Sequence, residues 1–117
     1  MAVITYWHNP RCSKSRAGLA LLQQHGAEVV VRRYLEDAPG VAEVRRVLAL
    51  LGAAPIEMMR PCEPQFKALG LHGESVAEDL LAAMAAHPIL IERPIAIGAA
   101  RAVIGRPPEA VLGVIGV

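Results

Sequence analysis

Cys12 stands in the run His8-Asn9-Pro10-Arg11-Cys12-Ser13-Lys14-Ser15-Arg16, directly after the apolar stretch Val3-Ile4-Thr5-Tyr6-Trp7. A β-branched and aromatic run that ends in a proline-containing loop reads as a strand feeding a turn. Ser13 or Ser15 is then placed to cap a helix carrying Leu19, Leu21 and Leu22. Cys12 falls at the mouth of that helix, where unpaired backbone N–H groups and the positive end of the helix dipole favour an anion. Arg11, Lys14 and Arg16 add cationic charge. These conditions populate the thiolate, which is the nucleophilic form of cysteine. The loop therefore reads as a sulfur nucleophile with a binding place for a negatively charged substrate beside it. The structural alternative is a cysteine acting as small apolar filler.

The elements that must position this loop follow along the chain. Strand, loop and helix run from Ala2 to about Gln24, and His25-Gly26 is a helix-ending signal. Glu28 to Tyr34, with three consecutive valines, reads as a second strand, giving a parallel βαβ unit with a right-handed crossover. After the turn Asp37-Ala38-Pro39-Gly40, Val41, Val44, Val47, Leu48 and Leu51 recur at helical spacing. Short helical pieces are predicted at Pro55 to Met59 and at Glu63 to Leu69. Ser75 with Glu78 has the spacing of a capping box for a longer helix to Ala86, ended by His87-Pro88. Ile95-Ala96-Ile97 and Ala102-Val103-Ile104 flank Gly98-Ala99-Ala100-Arg101 as a β-hairpin, and a final helix begins near Arg106-Pro107-Pro108-Glu109. The order β-α-β, several helices, then β-β-α is that of an α/β thioredoxin-like fold, a mixed sheet flanked by helices. The expectation is one domain over residues 1–117 with a helical insertion at about 41–87.

Composition narrows the function classes. The net charge of +1 gives no nucleic-acid footprint and no polybasic membrane patch. No apolar run approaches the roughly 18 residues of a membrane span. The N-terminal residues lead straight into a strand without signal-peptide features, so a cytoplasmic setting is expected. Cys12 and Cys62 do not make a secreted disulfide framework and lack the clustered partners of a zinc site.

Taken together, the motifs resemble the glutaredoxin-coupled arsenate reductase family over almost the whole chain. The resemblance is carried by His8-Asn9-Pro10-x-Cys12-x-x-Ser15-Arg16, by Tyr34-Leu35-Glu36 before a proline turn, and by Arg60. Glu63-Pro64 with Leu69-Gly70-Leu71, the segment from His87-Pro88 through Arg93-Pro94-Ile95, and Arg106-Pro107-x-Glu109-x-Val111-Leu112 complete it. The wording of the cysteine loop is closest to a compact branch of that family. The resemblance implies that the Cys12 thiolate attacks arsenate and forms a covalent thiol–arsenate adduct. Glutathione and glutaredoxin would then supply the electrons, so no bound cofactor and no metal is expected. A monomer is expected.

The same resemblance assigns roles. Arg93 and Arg106, with Arg16, would bind the oxyanion, and Arg60 would stabilise the arsenic adduct; guanidinium forks suit a phosphate-like anion better than an ammonium point charge. His8, four residues before Cys12, would favour the thiolate as an imidazolium or a hydrogen-bond donor, or else hold the end of the first strand. Ser15 occupies the second-cysteine place of a Cys-x-x-Cys motif, where it can hydrogen-bond the thiolate but cannot form a disulfide. Pro94 matches the family's equivalent of the thioredoxin-fold cis-proline. Cys62 lies outside the pattern and reads as an inert thiol, with a resolving role as the sharper alternative.

Three other classes compete. A regulator of the same fold that binds a protein partner such as RNA polymerase would survive as a non-redox binding protein, although Ser15 removes its Cys-x-x-Cys switch. A dithiol oxidoreductase is disfavoured for the same reason. A low-molecular-weight cysteine phosphatase needs an arginine six positions after its cysteine, and Gly18 stands there.

Overall fold

The computed structural model describes residues 3–116. The expected strand residue Ala2 and the terminal Val117 lie outside them. The chain divides into two compact units, residues 1–37 with 93–117, and residues 38–92.

The first unit is built on a four-stranded mixed sheet in the order β2-β1-β3-β4. Strand β1 (Val3–Trp7) pairs in parallel with β2 (Glu28–Arg32), through the crossover helix α1 (Ser13–Gln24). On its other side β1 runs antiparallel to β3 (Ile95–Ile97), which forms a hairpin with β4 (Ala102–Ile104). The first unit closes with Pro108–Ile115, which is wound as a 3₁₀ helix and ends at Gly116 with φ +76°. Ile4, Tyr6, Leu22, Ala96, Val111 and Val114 make the buried cluster between sheet and helices. This is the α/β thioredoxin-like arrangement that the element order predicted.

Helix α1 faces the sheet with Ser15, Gly18 and Leu22, all buried and spaced three and four residues apart. Two of the three are small, so the helix axis can come close to the strands. A Cβ built on Gly18 would lie 2.4 Å from the Tyr6 hydroxyl and 3.2 Å from Val111 Cγ1. Glycine is required at that position by the approach of Tyr6.

The second unit contains α2 (Val41–Leu51), a 3₁₀ turn at Pro55–Met58, α3 (Pro64–Ala68), α4 (Ala77–Ala86) and a 3₁₀ turn at Pro88–Leu90. Val44, Val47, Met58, Phe66, Leu80, Leu81, Met84, Leu90 and Ile91 are among its buried apolar residues. Glu43 and Glu57 reach back to the backbone N–H groups of Gly40 and Ala54, satisfying donors at two helix starts. The expected capping box at Ser75 does not form. The N-cap is Val76, Ser75 Oγ accepts the backbone N–H of His72 at 2.9 Å, and Glu78 is drawn into a two-pronged pair with Arg45 at 2.7 and 2.9 Å. Among the described residues no helix is long and apolar enough to cross a membrane.

Candidate active site

Strand register decides what meets at the cysteine end of the sheet. Trp7, the last residue of β1, is opposite Arg32, the last residue of β2, and opposite Ile95, the first residue of β3. Ile95 in turn pairs with Ile104, the last residue of β4. The His8–Cys12 loop, Arg93-Pro94 and Gly105-Arg106 therefore leave the sheet at one end. Strand pairing brings His8, Pro94, Arg93 and Arg106 to that end, and Cys12 follows in the loop that begins at His8.

The loop is organised by Asn9. Its side-chain oxygen accepts the N–H of Arg11 at 3.0 Å, its carbonyl accepts the N–H of Cys12 at 3.0 Å, and its own N–H donates to Ser15 Oγ at 3.0 Å. Arg16 closes the loop from outside, with Nη1 donating to the Pro10 carbonyl at 2.8 Å. Cys12 itself is the N-cap of α1, with extended backbone at φ −93° and ψ 121°, and its carbonyl accepts the N–H of Arg16. No side-chain hydrogen bond caps this helix. The expected serine cap is replaced because Ser13 is already the first helical residue and Ser15 folds its hydroxyl back toward the strand. The sulfur thus starts a 12-residue helix whose first-turn N–H groups have no intrahelical acceptor. An anion beside it meets the favourable end of the dipole.

Ser15 is fully buried, and its hydroxyl meets His8 Nδ1 at 2.7 Å as well as the Asn9 N–H. Burial, followed by the charges of Arg33 and Arg16, holds the His8 imidazolium below the ordinary histidine value. His8 is therefore a neutral ring near pH 7. With the proton on Nε2, Ser15 donates to Nδ1. With the proton on Nδ1, the ring donates to Ser15 and the hydroxyl proton is left to face another acceptor. Tyr6 donates its hydroxyl to the Ser15 carbonyl at 2.7 Å.

Arg93 and Arg106 are joined, since Nε of Arg106 donates to the Arg93 carbonyl at 3.0 Å. Both are half-buried and each precedes a cis proline, Pro94 and Pro107. The Pro94 carbonyl accepts the N–H of Gly105 at 2.9 Å. A Cβ on Gly105 would lie 2.6 Å from Pro94 Cγ and 2.7 Å from Val111 Cγ1, so only glycine lets the β4 end lie against the Pro94 ring.

Arg60 belongs to the second unit. There its Nη1 is ion-paired with Glu63, its Nε lies 3.8 Å from Glu92, and its backbone N–H donates to Leu90. Cys62 is exposed in the same turn, next to Glu63. Asn9, Tyr6, Gly18 and Gly105 shape the surroundings of the loop through contacts to which the sequence reading gave no role. Asn9 had a visible signal, a turn-forming residue just before Pro10. The others depend on contacts between distant segments.

A parallel–antiparallel sheet with a cysteine at the first helix start and a cis proline directly before β3 defines a thioredoxin-like protein. The ArsC family model matches residues 7–114, and the chain belongs to that family. It is 43% identical over 111 residues to an arsenate reductase of Neisseria meningitidis serogroup A, covering 93% of this chain and 95% of that one. It is 44% identical over 115 residues to the uncharacterised protein YfgD of Escherichia coli, covering 97% of each. The solved structure of an arsenate reductase from Vibrio cholerae superimposes with a TM-score of 0.91 at 44% identity, over 97% of this chain and 98% of that one.

Proposed function

We propose that this chain is an arsenate reductase in which Cys12 is the nucleophile. The observation that carries the reading is the placement of Cys12 as the N-cap of α1, in a loop held by Asn9, Ser15 and Arg16. The names of the relatives above support the same substrate. The Cys12 thiolate attacks arsenic, a sulfur–arsenic bond forms, and one arsenate oxygen leaves as water after protonation. Arg93 and Arg106 bind the remaining oxygens, with Arg16 beside them, and the first-turn N–H groups of α1 add uncharged donors. Arg60 acts on the adduct; this role rests on the family resemblance.

Ser15 takes the place of a second loop cysteine, so the adduct is resolved from outside. A glutathione thiolate attacks the Cys12 sulfur of the adduct, forming a Cys12–glutathione disulfide as the sulfur–arsenic bond breaks. The electron pair of that bond takes arsenic from the pentavalent to the trivalent state, and arsenite leaves. Glutaredoxin then reduces the mixed disulfide to free Cys12 for the next cycle. The reaction needs no bound cofactor, because the electrons arrive as thiols. The test is arsenite formation with glutathione and glutaredoxin. Wild-type protein is expected to turn over, with none from Cys12→Ser and none when glutaredoxin is omitted. Equal turnover by Cys12→Ser would overturn the assignment.

A further inference from the structure

Tyr6 is fully buried in the sheet, yet its hydroxyl emerges against the first turns of α1. It donates to the Ser15 carbonyl at 2.7 Å, while the Ser15 hydroxyl is held on its other side by His8 and Asn9. Ser15 is three residues beyond Cys12, within the first turn of the helix that Cys12 caps. The slot that admits the phenol is Gly18, where a Cβ would lie 2.4 Å from the hydroxyl oxygen. Phenol and glycine are thus two halves of one contact, one on the strand and one on the helix.

We infer that Tyr6 is a positioning residue for Cys12, a latch that fixes the start of α1 through the Ser15 carbonyl and requires Gly18 as its socket. This rests on the reading of Cys12 as the nucleophile and adds a residue to it. The phenol keeps its proton under working conditions, because burial and then the negative charge of Cys12 oppose the phenolate. It therefore serves as a donor throughout. Latching matters here because the first-turn N–H groups stabilise an anion only when they are aimed at it, and a tilt of the first turn moves them all together.

The experiment is a cycle of Tyr6→Phe, Gly18→Ala and the double variant, read in two ways. The first readout is the second-order rate of Cys12 alkylation by iodoacetamide in the Cys62→Ser background, which needs no arsenate turnover. The second is kcat and KM for arsenite formation. Tyr6→Phe is expected to keep the melting transition within a few degrees. It should slow alkylation and lower kcat at least threefold, with KM within twofold. Gly18→Ala should lower both rates tenfold or more when Tyr6 is present. In the Tyr6→Phe background the same alanine should cost less than threefold, because the oxygen it strikes is gone. An unchanged or faster alkylation rate in Tyr6→Phe would overturn the latch, as would an equal cost of Gly18→Ala in both backgrounds. Altered alkylation without any arsenate turnover in the wild type would sink the proposed function and leave the latch standing.

Discussion

Cys12 and Cys62 are the same side chain on different supports. Cys12 begins a 12-residue helix at the end of a sheet, and its loop is tied by bonds from Asn9, Ser15 and Arg16. Cys62 sits exposed in a turn of the other unit, ahead of the five-residue helix α3. The arginines differ in parallel. Arg106 donates through Nε to a backbone carbonyl, that of Arg93, at 3.0 Å. Arg60 is set against two carboxylates, Glu63 and Glu92, which offset its charge locally. A residue type therefore says little about chemistry until the fold says what surrounds it.

The largest expected effects break this comparison most directly. Cys12→Ser should abolish arsenite production, while Cys62→Ser should keep it within twofold. Peptide mass spectrometry after a single turnover should then find Cys12 bound to glutathione. A Cys12–Cys62 disulfide as the main product would instead make Cys62 the resolving thiol.

The arginines come next. Arg106→Ala and Arg93→Ala should each raise KM for arsenate about tenfold to a hundredfold, as expected for losing a charge-assisted contact of about 1.5–3 kcal/mol. Phosphate or sulfate should compete in the wild type, and lysine should rescue only partly, because it lacks the fork. Arg60→Ala should act on kcat with KM nearly unchanged if its role is in the adduct. An unchanged KM in both Arg93→Ala and Arg106→Ala would place the substrate elsewhere.

A smaller effect tests packing. Gly105→Ala should destabilise the fold by about 1–3 kcal/mol, the usual range for overpacking, because the new Cβ meets Pro94 and Val111. Gly73→Ala, where a Cβ meets nothing within 4 Å, should change the denaturation midpoint little. Equal midpoints for the two variants would show that the Pro94 contact yields without cost.

Much of the architecture was legible because it is written in local periodicity. Apolar, β-branched runs bounded by turn residues marked β1, β3 and β4, helical spacing of valines and leucines marked α2, and the order of elements implied the sheet. The cysteine loop was legible as a motif. What failed were features decided by partners far away in sequence. Ser75 and Glu78 have capping-box spacing, but Arg45, 33 residues earlier, offered Glu78 a two-pronged partner. Ser15 reads as a cap, yet His8 and Asn9 draw its hydroxyl away from the helix end. Tyr6, Gly18 and Gly105 carried no signal at all, since each matters through an approach between segments that only the fold brings together. The cis bond before Pro107 was equally silent.

The smallest predicted effect concerns His8 and returns to the cysteine loop. Its ring titrates below the ordinary value of 6.5, chiefly because it is buried and then because Arg33 and Arg16 repel a second positive charge. In the unfolded chain the same ring takes up its proton near pH 6.5. Between that value and the lowered folded one, the unfolded state binds more protons. Stability from this residue is therefore complete above about pH 6.5 and declines as the solution is acidified through that window. Protonation would also place a donor on both ring nitrogens and prevent Ser15 from donating to Nδ1. The urea midpoint of the wild type should thus fall between pH 7.5 and 5.5 by more than that of His8→Gln, which cannot titrate. The gap between the two curves should close at the alkaline end once the constant difference between the proteins is subtracted. Parallel curves throughout would mean that His8 keeps its ordinary titration in the folded protein, and that the bond to Ser15 does not depend on a neutral ring.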